Sequence, residues 1–365
     1  MNTKIKNKFL SVVFAILFLG LAVFSWLKPA TEFSDSERRP LAKFPTVSAS
    51  SVFSGKFMKD FVTYSTEQFP LRDLFRTIKA LTNKYVLLQS DNNKVFEKNG
   101  HLSKLEYPLD EESVLDAVKK FQAINEQYFV GTDVNAYYSI IPDKNYFLVE
   151  DDYLAMDYER LFSLMTEEAD FMSYIDITDL LALESFYKTD THWKQEEIIP
   201  VAQRLGEAMG VELQGEYKKT ILDNDFYGVY HGQYALPVAP DKITYLENDI
   251  LRSLKVYDYQ NDKEMSVYDM EKAYGKDPYE MFLSGSLSLL TIENENATTD
   301  KELVIFRDSF GSSLSPLLAE GYKKITVVDI RYIHPDMLRN FIEFTNQDVL
   351  FIYSTMVLNN SETIK

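Results

Sequence analysis

The chain has 365 residues, more than the roughly 150 of a typical domain, so one large domain with an appended region, or two domains, is expected. Hydrophobic residues make up 45% and charged residues 26%, which excludes a disordered, collagen-like or polytopic membrane chain. The 38 basic against 56 acidic residues, a net charge of −18, argue against nucleic acid as a partner, and the absence of cysteine excludes disulfides, thiolate metal sites and a cysteine nucleophile.

The first element is an uncharged apolar run over residues 9–27. At 1.5 Å per residue a helix of this length crosses a hydrocarbon core of about 30 Å. Three lysines precede the run and acidic residues soon follow it, so the positive-inside rule places the N-terminus in the cytoplasm and the rest of the chain outside. The run exceeds a usual signal-peptide core and ends in Trp26-Leu27-Lys28, without a small-x-small cleavage site. We therefore predict a cytoplasmic stub and an uncleaved anchor over residues 1–28.

Residues 29–54 are polar and interrupted by prolines, which predicts an extended linker. Residues 55–110 form a helical region that we expect to pack on the main domain. Apolar residues at helical spacing on both sides of a break at Phe69-Pro70 predict two amphipathic helices there. Residues 111–365 form the main domain.

Short apolar strands alternate with helical patterns along the main domain. Strands are predicted at residues 136–141, 303–306, 325–330 and 349–353, and helices at 114–129, 153–165, 194–209, 312–320 and 336–344. This alternation is typical of right-handed crossovers in a parallel sheet covered on both faces. The predicted fold is a three-layer α/β/α sandwich with a mostly parallel, flavodoxin-like sheet, preceded by a transmembrane helix.

Ser309 follows a predicted strand in a sharp turn that opens a helix. Reactive groups in open parallel sheets collect at the carboxyl ends of strands, and such a turn presents a serine hydroxyl beside helix N-terminal amides. The alternative is that Asp308 or Ser309 only caps the helix.

Asp190 and His192 are two residues apart in the segment 187–193. On an extended segment both side chains point the same way, so the carboxylate can orient the imidazole and leave its second nitrogen free to accept a proton from a hydroxyl. Helix capping and an ordinary surface histidine are the alternative. Together with Ser309 they supply a nucleophile, a base and an orienting acid, whereas His101, His231 and His334 have no such surroundings and are expected to be structural.

Several motifs resemble the DHHW protein family and the related SGNH-hydrolase-like alginate O-acetylation proteins. The resemblance runs from about residue 37 to the C-terminus. It is carried by the stretches ERRPL at 37–41, QFPLRD at 68–73, IPDK at 141–144, DTHW at 190–193, YEMFLSG at 279–285, RDSFG at 307–311 and DIRY at 329–332.

The resemblance implies a serine, histidine and aspartate site on a flavodoxin-like sheet, in the permuted order in which the acid and base precede the serine. It makes Ser309 the acyl-enzyme residue, His192 the base and Asp190 its orienting acid. It also implies a protein anchored outside the membrane beside a membrane-bound O-acyltransferase that supplies acyl groups, with a polysaccharide as acceptor.

Two departures from the related sequences concern the site. Thr191 replaces the first histidine of the family name, which leaves the dyad intact, and the Gly-x-Asn-Asp block of the SGNH oxyanion hole is not recognisable. We expect the amide of Ser309 or Phe310 to be assisted by another donor. Candidates for that role or for substrate binding are Phe310, Lys144, Arg331 and Tyr332, although Lys144 and Arg331 also fit ion-paired surface residues.

The sequence thus predicts an extracytoplasmic O-acetyltransferase that acts on a polysaccharide through an acyl-serine intermediate, without cofactor or metal. A carbohydrate acetylesterase would use the same residues, because water and a sugar hydroxyl differ only as acceptors. A non-catalytic, glycan-binding scaffold for a membrane-bound O-acyltransferase is a second alternative, supported by the missing oxyanion block. A metal-dependent hydrolase built on Asp190 and His192 would need further ligands.

Overall fold

A computed structural model describes residues 3–151 and 153–365, and it omits the side chains of residues 149–151. The chain forms two compact units. The first contains the chain up to Asn93 together with His231–Pro237, and the second contains Lys94–Tyr230 and Val238–Lys365. The contacts therefore divide the chain at residue 93, and the predicted packing of residues 55–110 on the main domain stays a prediction.

The first unit is mainly helical. Its elements are α1 Thr3–Leu27, α2 Ala49–Phe53, α3 Lys56–Glu67 and α4 Arg72–Tyr85, with an antiparallel pair of β1 Phe33–Ser34 and β2 Arg39–Pro40. The 25 residues of α1 include no buried side chain, and the helix is long and apolar enough to cross a membrane. The two helices predicted on either side of Phe69-Pro70 are present as α3 and α4.

Residues 29–54 have more structure than an extended linker. Besides β1, β2 and α2, this segment is bound to the side chain of Gln68, whose amide donates to the carbonyls of Thr31 and Ala42 and accepts from the Thr31 N–H. Gln68 is buried. The polar composition of residues 29–54 predicts a linker, but the side chain of Gln68, in the QFPLRD motif, fixes the backbone of this segment.

The second unit contains the remaining elements. Its helices are α5 Glu111–Tyr128, α6 Tyr158–Glu168, α7 Ile199–Ala208, α8 Val229–Tyr234, which ends in the first unit, α9 Asp249–Ser253, α10 Met270–Ala273, α11 Gly311–Leu318 and α12 Thr355–Leu358. Its strands are β3 Val95–Lys98, β4 His101–Lys104, β5 Asn135–Ile141, β6 Ser173–Tyr174, β7 Lys218–Ile221, β8 Thr244–Glu247, β9 Lys255–Asp258, β10 Lys263–Met265, β11 Leu289–Glu293, β12 Glu302–Arg307, β13 Lys324–Val328 and β14 Asp348–Ser354.

An eight-stranded sheet has the order β10-β9-β11-β13-β12-β14-β5-β6. The five strands from β13 to β6 are parallel, and β11, β9 and β10 extend the sheet antiparallel. The predicted parallel strands are confirmed. The antiparallel extension was not predicted, because a short apolar segment such as β11 has no periodicity that fixes its direction.

Both faces of the sheet are buried, which confirms the three-layer α/β/α fold. In β12, Leu303 and Ile305 belong to one apolar cluster, and Val304 and Phe306 belong to the other. Successive side chains of a strand point to opposite faces, so each strand contributes to both cores. Helices α7 and α11 cover the first face, and α5 and α6 cover the second.

Three predicted helices differ from the observed elements. The helix predicted from residue 153 begins only at Tyr158, because the carboxylate of Asp157 caps its first turn. The helix predicted at 336–344 is a 3-10 helix over Pro335–Asn340. The helix predicted from 194 starts as a 3-10 turn, Gln195–Glu197, and continues as α7 with a proline in its first turn.

We predict that Ile305→Ala destabilises the second unit. Ile305 is fully buried in the central strand β12, and loss of its side chain leaves a cavity that costs about 2–5 kcal/mol of unfolding free energy. Urea unfolding followed by circular dichroism measures the change. Lys263→Ala, on exposed edge strand β10, serves as the control and should stay within about 0.5 kcal/mol of wild type. Equal unfolding free energies for the two variants would contradict the assigned core.

Candidate active site

The turn after β12 is braced against a neighbouring strand. The buried carboxylate of Asp308 accepts the Phe310 N–H at 3.0 Å and the Ser354 N–H at the end of β14 at 2.8 Å. The Asp308 carboxylate therefore pairs with an N–H of the turn and links the turn to β14. Helix α11 has Phe310 as its N-cap residue and no side-chain cap, so neither Asp308 nor Ser309 caps it, and the Ser309 hydroxyl is left for another partner.

The segment with Asp190 and His192 is a bent loop, which differs from the extended conformation predicted for it. Its ends pair through Phe186 and Trp193, and the Tyr187 N–H donates to the His192 carbonyl at 3.0 Å. The two side chains still point the same way, because the Asp190 carboxylate folds back to accept the His192 N–H at 3.1 Å.

The loop places His192 between an acid and a hydroxyl. Its Nδ1 lies 2.6 Å from Asp190 Oδ1, and its Nε2 lies 2.8 Å from Ser309 Oγ. Because an ionised carboxylate only accepts hydrogen bonds, Nδ1 carries the hydrogen, and Nε2 can accept the proton of the serine. The structure thus brings together the three residues predicted from the sequence. This arrangement can activate a serine hydroxyl for attack on an acyl carbon.

The second oxygen of Asp190 is also paired, by a close backbone approach. The Val229 N–H donates to Asp190 Oδ2 at 2.8 Å, and the Gly228 N–H donates to Thr189 Oγ1 at 2.9 Å. A Cβ on Gly228 would lie 2.3 Å from Asp190 Cα, so a side chain at position 228 would displace the acid. Gly228 was not predicted, since nothing near it in sequence indicates this contact.

Asp241 fixes the residues immediately before Asp190. Its carboxylate accepts from the Lys188 N–H at 2.8 Å, from the Thr189 N–H at 2.8 Å and from the Thr189 hydroxyl at 2.6 Å. Carboxylates that accept several backbone N–H groups form strong, charge-assisted bonds. Asp241 orients the loop and was not predicted, because it is 52 residues away from Thr189.

Two aromatic side chains contact His192 and the residues that follow Ser309. The ring of Tyr279 stacks on His192 with a centroid distance of 3.9 Å, and its hydroxyl bonds with Ser313 Oγ at 3.0 Å. The buried indole of Trp193 donates to the Phe310 carbonyl at 3.1 Å and to Ser313 Oγ at 2.9 Å. Burial raises the pKa of Tyr279, so its hydroxyl stays protonated. Both residues appeared in the sequence only as parts of motifs.

Phe310, predicted as an oxyanion donor, has its N–H bonded to Asp308. The expectation that this amide is available is therefore wrong, since the Asp308 side chain reaches it within the same turn. Among the described residues, the N–H of Ser309 donates no hydrogen bond, so of the two predicted amides only this one is available.

Arg331 and Tyr332 follow β13 at the same edge of the sheet as Ser309. Arg331 makes two hydrogen bonds, at 2.8 and 2.6 Å, to the buried carboxylate of Asp329, and its guanidinium lies 5.4 Å from the Tyr332 ring centroid. Asp329 also lies 3.5 Å from the buried Arg307. The ion pair expected for Arg331 is present, and the binding functions of both residues stay predictions.

Lys144 is fully buried, and the expectation of an ion-paired surface residue is wrong. Its Nζ donates to the carbonyls of Tyr187 at 2.9 Å and Lys188 at 3.2 Å, and it lies 5.0 Å from the Tyr230 ring centroid. Burial lowers the pKa of Lys144 to about 7, although Asp190 and Asp241 oppose this shift. Lys144 therefore fixes the loop that carries Asp190.

The other histidines lie in different surroundings. His101 is buried, burial lowers its pKa to about 4, and its Nδ1 has no hydrogen-bond partner in the part of the chain that the structure describes. Burial also lowers the pKa of His231, and His334 is exposed beside Asp336. Within residues 3–151 and 153–365, no three histidine or acidic side chains group as metal ligands, so Asp190 and His192 have no third partner of this kind.

The mostly parallel sheet between helical layers is an SGNH-hydrolase-like fold. Solved structures of similar fold include a DHHW family protein from Eubacterium siraeum, with 23% identity and a TM-score of 0.58 over 75% of this chain and 95% of that one. PatB1 of Bacillus cereus, solved with a sulfonyl adduct, has 18% identity and a TM-score of 0.57 over 72% and 95% of the two chains.

The O-acetyltransferase domain of Pseudomonas putida AlgJ aligns with 12% identity and a TM-score of 0.45 over 73% of this chain and 92% of that one. This similarity is too low to bear on function. No family model matches the chain, and no curated protein matches its sequence. The comparisons thus establish the fold, and the chemistry of the site is argued from its own residues.

We predict that Trp193→Phe destabilises the protein by about 1–3 kcal/mol of unfolding free energy, because the Phe310 carbonyl and Ser313 hydroxyl lose a buried donor. Urea unfolding provides the measurement. The chain has one other tryptophan, and Trp26→Phe is the matched control because Trp26 is exposed at the end of α1. Equal effects of the two substitutions would count against the indole bridge.

We predict that the unfolding free energy rises with pH above neutrality because of Lys144. Its folded pKa of about 7 lies below its ordinary value of 10.5, so between these values only the unfolded chain binds the proton. The contribution is up to about 1.4 kcal/mol per pH unit. Urea unfolding of wild type and Lys144→Met from about pH 6 to about pH 9 tests this, and the variant should lose that part of the slope. Identical pH dependence would refute the assignment.

Proposed function

We propose that this protein is an extracytoplasmic O-acetyltransferase that transfers an acetyl group to hydroxyls of a polysaccharide through an acyl-serine intermediate. The observation that carries the proposal is the position of His192, whose two nitrogens lie 2.6 Å from Asp190 and 2.8 Å from Ser309. The N–H of Ser309, without a partner among the described residues, is available to an oxyanion.

The proposed reaction has two half-reactions. Ser309 Oγ attacks the acyl carbon of the donor while His192 Nε2 takes the serine proton. The tetrahedral intermediate collapses, the bond from the acyl carbon to the donor oxygen breaks, and His192 returns the proton to that oxygen. An acceptor hydroxyl then attacks the acyl-serine, gives its proton to Nε2 and takes the acyl group, and the proton returns to Ser309. Asp190 keeps Nδ1 protonated throughout.

Acetyl as the acyl group and polysaccharide as the acceptor rest on the resemblance to the DHHW and alginate O-acetylation proteins. The same resemblance supports a membrane-bound O-acyltransferase as the acyl supplier. Helix α1, with lysines before it, supports a single-pass anchor that keeps the catalytic unit outside the cytoplasm. Lys144, Phe310 and Arg331 are bonded to other groups and are better placed to shape the site than to react, and Tyr332 stays a candidate for substrate binding.

Two alternatives use the same fold. A carbohydrate acetylesterase would differ only in accepting water at the acyl-serine. A non-catalytic, glycan-binding scaffold is supported by the Phe310 amide, which is engaged by Asp308 and so leaves the oxyanion site with fewer backbone donors. A complete acid, base and serine arrangement supports chemistry over the scaffold.

We predict that wild-type protein incubated with p-nitrophenyl acetate gains one acetyl group and releases nitrophenol, and that Ser309→Ala and His192→Ala do neither at a comparable rate. Loss of the serine or of the histidine alone lowers turnover by roughly six orders of magnitude in a known serine protease. Intact-mass spectrometry after brief and long exposure measures the adduct. Ser315→Ala, in helix α11 directly after the Ser309 turn and with a hydroxyl that donates to the Gly311 carbonyl, is the matched control.

The outcomes separate the three functions. Movement of the acetyl group from the protein to an added oligosaccharide supports the transferase, and loss to water in the presence of every oligosaccharide offered supports the esterase. No adduct and no nitrophenol from about pH 6 to about pH 9, where a histidine base is active, would overturn the acyl-serine mechanism in favour of the scaffold.

A further inference from the structure

The first unit exposes an unusual amount of apolar side chain. Between residues 44 and 88, 15 large hydrophobic residues are exposed, whereas only 11 are exposed in all the described residues from 94 to the C-terminus. Scattered exposed apolar residues are normal on a soluble surface, but a concentration of this kind marks a surface that something else covers.

Helix α4 shows the origin of this surface. Leu74, Ile78, Leu81 and Tyr85 recur at intervals of three and four residues and so share one face, and all are exposed, from 41% at Leu81 to 66% at Tyr85. The next three residues, Val86, Leu87 and Leu88, are exposed as well. We call these seven residues the α4 face.

The two arginines of α4 lie on the opposite, inner side, whereas its Asp73 and Lys79 are exposed. The side chains of Arg72 and Arg76 are only 18% and 16% exposed, and they pair with Glu37 at 2.6 and 3.3 Å. Arg76 also donates to the carbonyl of Gly232. Helix α4 therefore has its apolar residues outside and its arginines inside, the reverse of a helix that packs on a core in water.

The end of the membrane-crossing helix lies beside α4. Ser25 and Trp26 of α1 line a cavity within the first unit together with Phe61 and Tyr64 of α3 and Phe75 of α4. Trp26 is largely exposed, as expected for a tryptophan at a membrane–water interface. Helix α4 therefore lies close to the bilayer surface at the point where α1 leaves the membrane.

We propose that the α4 face inserts into the outer surface of the lipid bilayer, so that the first unit lies on the membrane in addition to being anchored by α1. An amphipathic helix in the interface buries its apolar side about 5–10 Å deep at the headgroup boundary. Insertion covers the exposed face, and the inner arginines keep their bonds to Glu37. This inference rests on the proposed anchoring of α1 and is independent of the proposed chemistry.

The absence of cysteine allows a direct test with the full chain. Single variants Ile78→Cys, Leu81→Cys and Tyr85→Cys are labelled with the fluorophore nitrobenzoxadiazole and reconstituted into phosphatidylcholine–phosphatidylglycerol vesicles. We expect blue-shifted emission that doxyl-labelled lipids quench and aqueous iodide does not. Asp249→Cys, on α9 of the second unit with a side chain 99% exposed, is the control and should show aqueous emission with iodide quenching.

The other outcomes overturn the proposal in distinguishable ways. Chain that does not float with the vesicles contradicts the anchor and this inference together. Chain that floats, but has aqueous and iodide-quenched label at all three positions, contradicts membrane insertion of α4 alone and leaves the face to another protein. Blue-shifted emission that doxyl lipids do not quench assigns the face to a second copy of the chain.

Discussion

The site depends on one buried hydrogen-bond donor, the indole N–H of Trp193. It connects the loop that carries His192 with the helix that follows Ser309, two segments 117 residues apart in the chain. A serine and a histidine on separate elements meet at 2.8 Å only if both elements are fixed, and Trp193, the residue after His192, bonds directly to the helix after Ser309. Tyr279, stacked on His192 and bonded to the same Ser313, provides a second connection.

Around this bridge the loop of residues 186–193 has little regular secondary structure, and several of its backbone groups are bonded to residues from elsewhere in the chain. The Asp241 carboxylate accepts hydrogen bonds from two N–H groups of the loop, and Lys144 Nζ donates to two of its carbonyls. The backbone at Gly228 and Val229 packs on Asp190, and the Val229 N–H donates to its carboxylate. Buried polar groups are costly without partners, so this network holds a single loop conformation. Precision at Asp190 and His192 therefore comes from residues that do not take part in the proposed chemistry.

Local patterns in the sequence were sufficient for four of the five parallel strands, for α3, α4 and α5, and for the three residues that meet around His192, whereas the two-residue strand β6 had no such signal. The strand-to-helix turn indicated Ser309 as a candidate, and the two-residue spacing indicated that Asp190 and His192 act together. The supporting residues had no such signal. Gly228 is necessary only because Asp190 packs against it, and the burial of Lys144 depends on carbonyls more than 40 residues away. The pKa of Lys144 and the occupied amide of Phe310 are likewise properties of three-dimensional contacts.

The short segment His231–Pro237 belongs to the first unit although it lies deep within the sequence of the second. Asn92 donates to the carbonyl of Tyr234, and Asn93 donates to that of Gln233, so the two stretches of the first unit are joined by specific bonds. A chain that lacked residues 1–93 would lose the two asparagine donors of these carbonyls. It would also lose Ser36, against which the backbone of Gly232 packs. The first unit is therefore not a detachable module: recombination at a single point cannot add or remove it, and both stretches have to be inherited together.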